Sequence, residues 1–230
     1  MGMKIIATCR ALNEAKNVER FVAAHKPFVD DILIADGGSR DNTVALAEAA
    51  GAQVRIFPEM VQCTPDGRRN PHGRHINFVV NWALEEGADW VIFDDCDDVP
   101  TIALQQQARE IFETTKFSHV NVFRMYVYGE KHYYPKLNEP GQSIWAWRRE
   151  ANVRAEEENP LVSKMLNILP PSGMLMLNHP LACLHYSWPT EEEIARKIGF
   201  YISTGEGAML THPGSWAGPM VALPEWAVWK

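Results

Sequence analysis

Cysteine is sparse. The 230 residues hold four, Cys9, Cys63, Cys96 and Cys183, with no CxxC spacing among them. Nothing in that pattern supports a paired-cysteine framework, and a reducing cytoplasm is the expected setting. No charged segment leading into an apolar core opens the sequence, and "MGMKII" has Ile6 where an acylation signal wants Ser or Thr. No apolar run approaches the ~18 to 20 residues needed to cross a bilayer. The expectation is a soluble cytoplasmic chain, at most peripheral to a membrane. Positive charge is also scarce: 22 Lys and Arg stand against 29 Asp and Glu, a formal charge of −7. That balance excludes a broad electrostatic footprint for nucleic acid and leaves room only for a local basic groove. Internal repeats and low-complexity linkers are absent.

What is present is enough apolar content, 46%, to bury a substantial core, and one domain over residues 1–230 is expected. The first half alternates short apolar runs with helical patterns. "KIIAT", "DILIAD", "AQVRIF" and "DWVIF" read as strands. Helices are expected in "NEAKNVERFVAAHK", in "TVALAEAA" with Asp41 or Asn42 as cap and Gly51 as stop, in "RHINFVVNWALEEG" and in "IALQQQAREIF". This alternation predicts an α/β fold, a mostly parallel sheet with helices on both faces. The second half is irregular, with "NVFRMYVYG" and "SIWAWRR" as antiparallel additions. The tail "SWAGPMVALPEWAVWK" carries three of the eight tryptophans, which suits a core cover or a homo-oligomer interface.

Ligands of parallel sheets bind beyond the carboxyl ends of the strands. Along that rim the reading places Thr8 with Arg10, then Asp36 with two glycines, then Asp94 to Asp98. The last stretch, "DWVIFDDCDDVP", sets four aspartates within five positions. Like charges so close disfavour ionisation unless solvent or a cation relieves them. Strand alternation puts Asp95 and Asp97 on one side and Asp94 and Asp98 on the other. Hard carboxylate oxygens presented in this way suit Mg²⁺ or Mn²⁺. Asp36 can accept from an N–H of a nucleobase, and Gly37 and Gly38 allow close approach to the backbone. "GRRNPHGRH" adds Arg68, Arg69, His72, Arg74 and His75 as a local basic reversal suited to an anion.

The stretches "IIATCRALNEAKNVERFV", "DDILIADGGSRDNTVALAEAAGAQV", "GRHINFVVNWALEEGADWVIFDDCDDVP" and "LHYSWPTEEEIARKIGFY", in this order, resemble family 2 glycosyltransferases of the GT-A fold. The likeness is to short bacterial members that extend saccharide chains. It implies a nucleotide-sugar-binding half over residues 1–116 and an acceptor-side half over 117–230. It makes Asp95 and Asp97 the DxD pair, with Asp97 a metal ligand and Asp95 facing the ribose and the metal. It makes Asp36 a contact to the donor base, and it sets Asn13 and Glu14 in the loop lining the nucleoside pocket. Asn77 matches an asparagine of the helix before the DxD strand, Arg74 lies within reach of the donor, and His185 completes the metal site. The implied donor is a UDP or GDP sugar and the implied acceptor a glycan or other hydroxyl.

Inverting transfer needs a base for the acceptor hydroxyl. No acidic motif stands where larger members carry theirs, and the candidates are Glu156, Glu157 and Glu158, with Glu157 preferred. Two rival readings exist: a nucleotide-sugar-binding relative without turnover, and a haloacid-dehalogenase-like phosphotransferase, whose DxDx(T/V) pattern "DCDDV" fits. In that family the motif lies on the first strand, whereas here three strand-and-helix units precede it.

Overall fold

The computed structural model describes residues 2–59, 72–134, 144–157, 165–166, 173–188, 190–204 and 220–227. The strands are β1 (Ile5–Ala11), β2 (Asp31–Asp36), β3 (Gln53–Ile56), β4 (Trp90–Asp95), β5 (Asp98–Pro100), β6 (His119–Asn121), β7 (Phe123–Tyr128), β8 (His132–Tyr133), β9 (Ile144–Arg148), β10 (Arg154–Ala155), β11 (Met165–Leu166), β12 (Leu175–Met176), β13 (Ala182–Trp188) and β14 (Val221–Ala222). The helices are α1 (Val18–His25), α2 (Thr43–Ala50), α3 (His72–Glu85), α4 (Ile102–Thr114) and α5 (Glu191–Thr204).

Among the described residues, seven strands form the main sheet in the order β12-β6-β9-β4-β1-β2-β3. β1 pairs in parallel with β2 and β4, and β2 with β3. β9 runs antiparallel between β4 and β6, as the aromatic run "SIWAWRR" leads one to expect. The central strand β1 is buried almost throughout, so its side chains serve both faces. Ile5, Ala7, Cys9 and Ala11 meet α1, α2 and α4 on one face with Phe21, Ala47, Leu104 and Phe112. Ile6, with Leu33, Ala35 and Val91, meets α3 on the other through Ile76, Val79, Val80 and Ala83. A period of two in the strands against 3.6 in the helices is what makes the chain bury both sheet faces.

A second sheet has the order β14-β8-β7-β13-β5. It begins where the chain leaves β4, turns at residues 96 and 97 and re-enters extended structure as β5. β5 pairs antiparallel with β13, and β13 pairs in parallel with β7. The second sheet therefore stands at the carboxyl end of the first. The turn between them is the acidic stretch itself.

Local chemistry fixes several ends. Gly51 closes α2 at φ 104°, a left-handed conformation open to glycine. The cap of α2 is the Asp41 side chain, which accepts from the Thr43 N–H at 3.0 Å, while Asn42 supplies no side-chain cap. α1 is shorter than its sequence pattern, because Asn13 adopts φ 57° and the chain bends at residues 12–13 and turns at 15–17 before the helix starts at Val18.

Candidate functional site

Parallel register brings the rim together: Ala11 of β1 stands beside Asp36 of β2, and Arg10 beside Asp95 of β4. Asp36 is fully buried, and its Oδ1 accepts from the N–H groups of Gly38 and Ser39, both at 2.8 Å. The carboxylate thereby orders the glycine turn, in which Gly38 takes φ 85°. The Asn13 N–H donates to Ser39 Oγ at 2.8 Å and the Glu14 N–H to Thr43 Oγ1 at 2.7 Å, which ties the loop after β1 to the loop after β2.

Each of the four aspartates has a cationic or hydrogen-bonding partner within the chain. Asp94 is fully buried, with His25 Nε2 at 3.0 Å and Trp145 Nε1 at 2.9 Å from its Oδ2 and Arg124 Nη2 at 3.5 Å from its Oδ1. Asp95 faces Arg10 Nε at 3.4 Å. Asp98 accepts from Arg124 Nη2 at 2.8 Å and from the backbone N–H of Asp95 at 2.9 Å, and its other oxygen meets His185 Nδ1 at 2.7 Å. Asp97 lies 3.5 Å from the same Nδ1. Internal cations thus relieve much of the charge for which the sequence alone offers a metal ion as the answer.

The electrostatics follow from these contacts. Burial works to raise the Asp95 pKa, but Arg10 and Arg124 outweigh it and hold the group down to about 2. Burial raises Asp98, with Arg124 and His185 acting against it. Burial opposes the charge on Arg124, and Asp98, Asp95 and Asp94 more than restore it. Burial likewise opposes protonation of His185, and the Asp97 and Asp98 carboxylates reverse the direction, raising its pKa.

One carboxylate oxygen each from Asp97 and Asp98 and a ring nitrogen of His185 lie within 4.8 Å of one another, a donor set of the N/O chemistry that suits Mn²⁺ or Mg²⁺. The structure thus brings Asp97 and His185 together. The turn at residues 96 and 97 lets Asp98 meet both neighbours: it shares Arg124 with Asp94, as strand alternation predicts, and shares His185 with Asp97, while Asp95 faces Arg10 and not Asp97. Register in the second sheet does the rest, since β5–β13 pairing sets Asp98 directly opposite His185.

Other expectations need correction. Thr8 does not reach the rim: it sits in the middle of β1, fully buried, and its hydroxyl donates to the Ile92 carbonyl at 2.7 Å. β1 runs on to Ala11, three residues past Thr8, which leaves Arg10 as the rim residue. His72 and His75 add no positive charge at neutral pH. Burial first and the nearby Arg10 next lower each of them to about 4, and Arg10 Nη1 meets His72 Nδ1. His75 donates to the Ala35 carbonyl at 2.8 Å and stacks on Phe57 at 4.4 Å. Arg74 pairs with Glu59 at 2.8 Å, half-exposed at the start of α3. Asn77 faces the end of β10 and the residues after it: it donates to the Ala155 carbonyl at 3.0 Å and to Glu157 Oε1 at 2.8 Å. Arg68, Arg69 and Glu158 lie outside the described residues, as do Trp216 and Trp229 of the tail.

Sequence reading misses Arg124. The signal lies in "NVFRMYVYG", where an arginine alternates with Met125 and Val127, which are buried in the second-sheet core. A charge at the start of such a strand marks a buried partner of opposite sign. That partner is named only by the pairing of β7, β13 and β5.

Comparisons with known proteins agree with this architecture. An uncharacterized glycosyltransferase of Rickettsia felis is 30% identical over 109 residues, 47% of this chain and 34% of its own length. A Rickettsia conorii counterpart is 31% identical over the same shares. The match therefore spans about a third of these curated relatives. Among solved structures, S. aureus TarS superposes with a TM-score of 0.61 at 15% identity, over 87% of this chain and 39% of that one. Glucosyl-3-phosphoglycerate synthase from Mycobacterium tuberculosis, solved with Mn²⁺ and UDP-glucose, superposes at 0.55 with 20% identity, over 89% and 80%. The profile of glycosyl transferase family 2 matches residues 7–177, most of the chain, and with the parallel rim and its acidic turn this assigns the protein to that family.

Proposed function

We propose that the chain is a metal-dependent glycosyltransferase that moves a sugar from a UDP- or GDP-type donor to a hydroxyl acceptor, a glycan or other hydroxyl-bearing molecule, with inversion. The observation that carries this reading is the meeting of Asp97 and His185 at the carboxyl rim of the parallel sheet, beside the Asp95–Arg10 pair. Mn²⁺ complexes of the M. tuberculosis neighbour support the choice of cation.

Asp97 and His185 would hold Mn²⁺ or Mg²⁺, with Asp95 toward the ribose. When bound, the cation supplies positive charge against the negative charge that builds on the departing diphosphate. The residues of the chain do the rest. Arg10, fixed by Asp95 and by the neutral His72, keeps a permanent cation at the rim. Asp36, fully buried, orders through Gly38 and Ser39 the glycine loop that would face the donor base. Glu14, in the loop tied to the Asp36 turn, lines the nucleoside side, and Arg74 lies at the edge. In the transfer the acceptor oxygen bonds to the anomeric carbon as the bond to the diphosphate oxygen breaks, and the hydroxyl proton passes to a base. Glu157, oriented by Asn77, is the carboxylate assigned to that proton.

The test is a set of melting scans with UDP, GDP and CDP, each with and without Mn²⁺. Expected is a rise in melting temperature for one nucleotide that needs the metal and vanishes in Asp97→Ala, while the unliganded variant melts like wild type. A rise that is independent of metal, or retained in Asp97→Ala, overturns the reading. Metal-dependent binding with no release of nucleoside diphosphate from its sugar, with acceptor or by slow hydrolysis, would identify a relative without turnover.

A further inference from the structure

The loop after β1 and the acidic turn are joined by a route through the start of α1. Asn17 holds the N-cap position of that helix, yet its side chain makes no cap hydrogen bond. Its Nδ2 instead donates to Glu14 Oε2 at 2.7 Å, and its Oδ1 accepts from Arg20 Nη2 at 3.1 Å. An asparagine at this position ordinarily accepts from a backbone N–H of the first turn and steadies the helix. Here that oxygen is given to Arg20, three residues on and so on the same side of the helix.

Arg20 is held in turn. Its guanidinium lies over the Tyr186 ring, 3.8 Å from the centroid, and its buried Nε meets no hydrogen-bond acceptor among the described residues. A planar guanidinium can stack on a ring and still direct an in-plane N–H at Asn17, which an ammonium cannot do. Tyr186 follows His185 on β13, is 4% exposed, and its backbone N–H donates to the Asp97 carbonyl at 2.8 Å. Contacts therefore run without a gap from the Asp97 backbone through Tyr186, Arg20 and Asn17 to the Glu14 carboxylate. We propose that Arg20 is a positioning residue: stacked on Tyr186 and bonded to Asn17, it sets the Glu14 carboxylate in a fixed place relative to the acidic turn, so that the nucleoside and the diphosphate of the donor are received in one register. This role rests on the metal-dependent donor site proposed above. Arg20 acts through Asn17 and Glu14, not on the donor itself.

A double-mutant cycle tests the link. Dissociation constants of UDP and GDP are measured by calorimetry with saturating Mn²⁺ for wild type, Arg20→Met, Glu14→Gln and the double variant. Expected is about 5- to 10-fold weaker binding of the accepted nucleotide in Arg20→Met, the size of one lost hydrogen bond, and no further loss when Arg20→Met is added to Glu14→Gln. Asn17→Ala should lose as much affinity while melting like wild type, since no cap is removed. Arg20→Lys should fall with Arg20→Met despite its charge, and Tyr186→Phe, which keeps the ring, should bind like wild type. A merely structural Arg20 would lower the melting temperature and leave nucleotide affinity alone. Wild-type affinity in Asn17→Ala, in Glu14→Gln or in a folded Arg20→Met, or additive losses in the double variant, overturns the inference. Should Arg20→Met fail to fold, Asn17→Ala decides. Wild-type protein that binds neither nucleotide with Mn²⁺ overturns the donor site beneath it, an outcome distinct from additive losses in a protein that binds.

Discussion

Two like charges ~4 Å apart repel by about 4 kcal/mol at the effective dielectric of ~20 that describes such sites. The acidic turn holds four carboxylates, and the cation that two of them share is Arg124, which reaches both Asp94 and Asp98 from β7. Removing it leaves two buried carboxylates short of their cation. Arg124→Met is expected to destabilise the protein by about 3 to 5 kcal/mol, the usual result of breaking a buried pair from one side. Equilibrium unfolding in urea measures this, and a loss below about 1 kcal/mol would show that the clamp is not a structural counter-ion. Asp97→Ala should behave in the opposite manner, since among the described residues Asp97 faces His185 at 3.5 Å, at the proposed cation site, whereas Asp94 and Asp98 face Arg124: little change in stability, loss of metal-dependent binding.

Among the elements, α3 deserves its first turn to a glycine. A β-carbon at Gly73 would stand 2.0 Å from the Glu156 carbonyl oxygen, so the segment carrying Glu157 lies directly against the helix. Backbone cannot yield there as a flexible side chain would. Gly73→Ala is expected to cost about 1 to 3 kcal/mol, as overpacking does, and to displace residues 155–157. If Glu157 is the base, the same variant lowers kcat more than KM, which steady-state kinetics would read. Thr101 makes a comparable joint at the start of α4. Its Oγ1 accepts from the Leu104 N–H at 3.3 Å and donates to the Pro180 carbonyl at 2.8 Å, linking the helix to the approach to β13. Thr101→Ala should cost about 1 to 2 kcal/mol by loss of the cap, visible as a lower melting temperature with metal affinity retained.

On the scale of the whole molecule, acid sensitivity follows from burying neutral histidine. His75 is 3% exposed, and burial lowers its pKa from 6.5 to about 4. The unfolded chain therefore binds more protons than the folded one between those values. Stability from this group is complete above pH 6.5 and falls as pH drops toward 4, by at most about 3 kcal/mol. His72 shifts in the same direction. His75→Gln, which keeps an N–H for the Ala35 carbonyl and stays uncharged, should flatten part of that slope. Urea unfolding at pH 7, 5.5 and 4.5 would show it, and parallel slopes in variant and wild type would disprove the assignment.

The sequence by itself determined the sheet and the rim. Continuous apolar strands such as "DILIAD", helical periodicity between them and Gly51 as a stop are local signals, because propensity and burial pattern depend on near neighbours. Asp36, Asp95, Asp97 and His185 can be singled out as candidates for the same reason, each lying at or just past the end of an apolar run. Only the tertiary structure decided which of these side chains meet. The extension of β1 withdrew Thr8 into the sheet, the turn after Asp95 parted Asp95 from Asp97, and pairing of β5 with β13 set Asp98 against His185 across 87 residues of sequence. Arg124 entered the site from a third strand, β7, through the same register. Register in a sheet is fixed by faces that strands far apart in sequence must bury together, so no local pattern carries it.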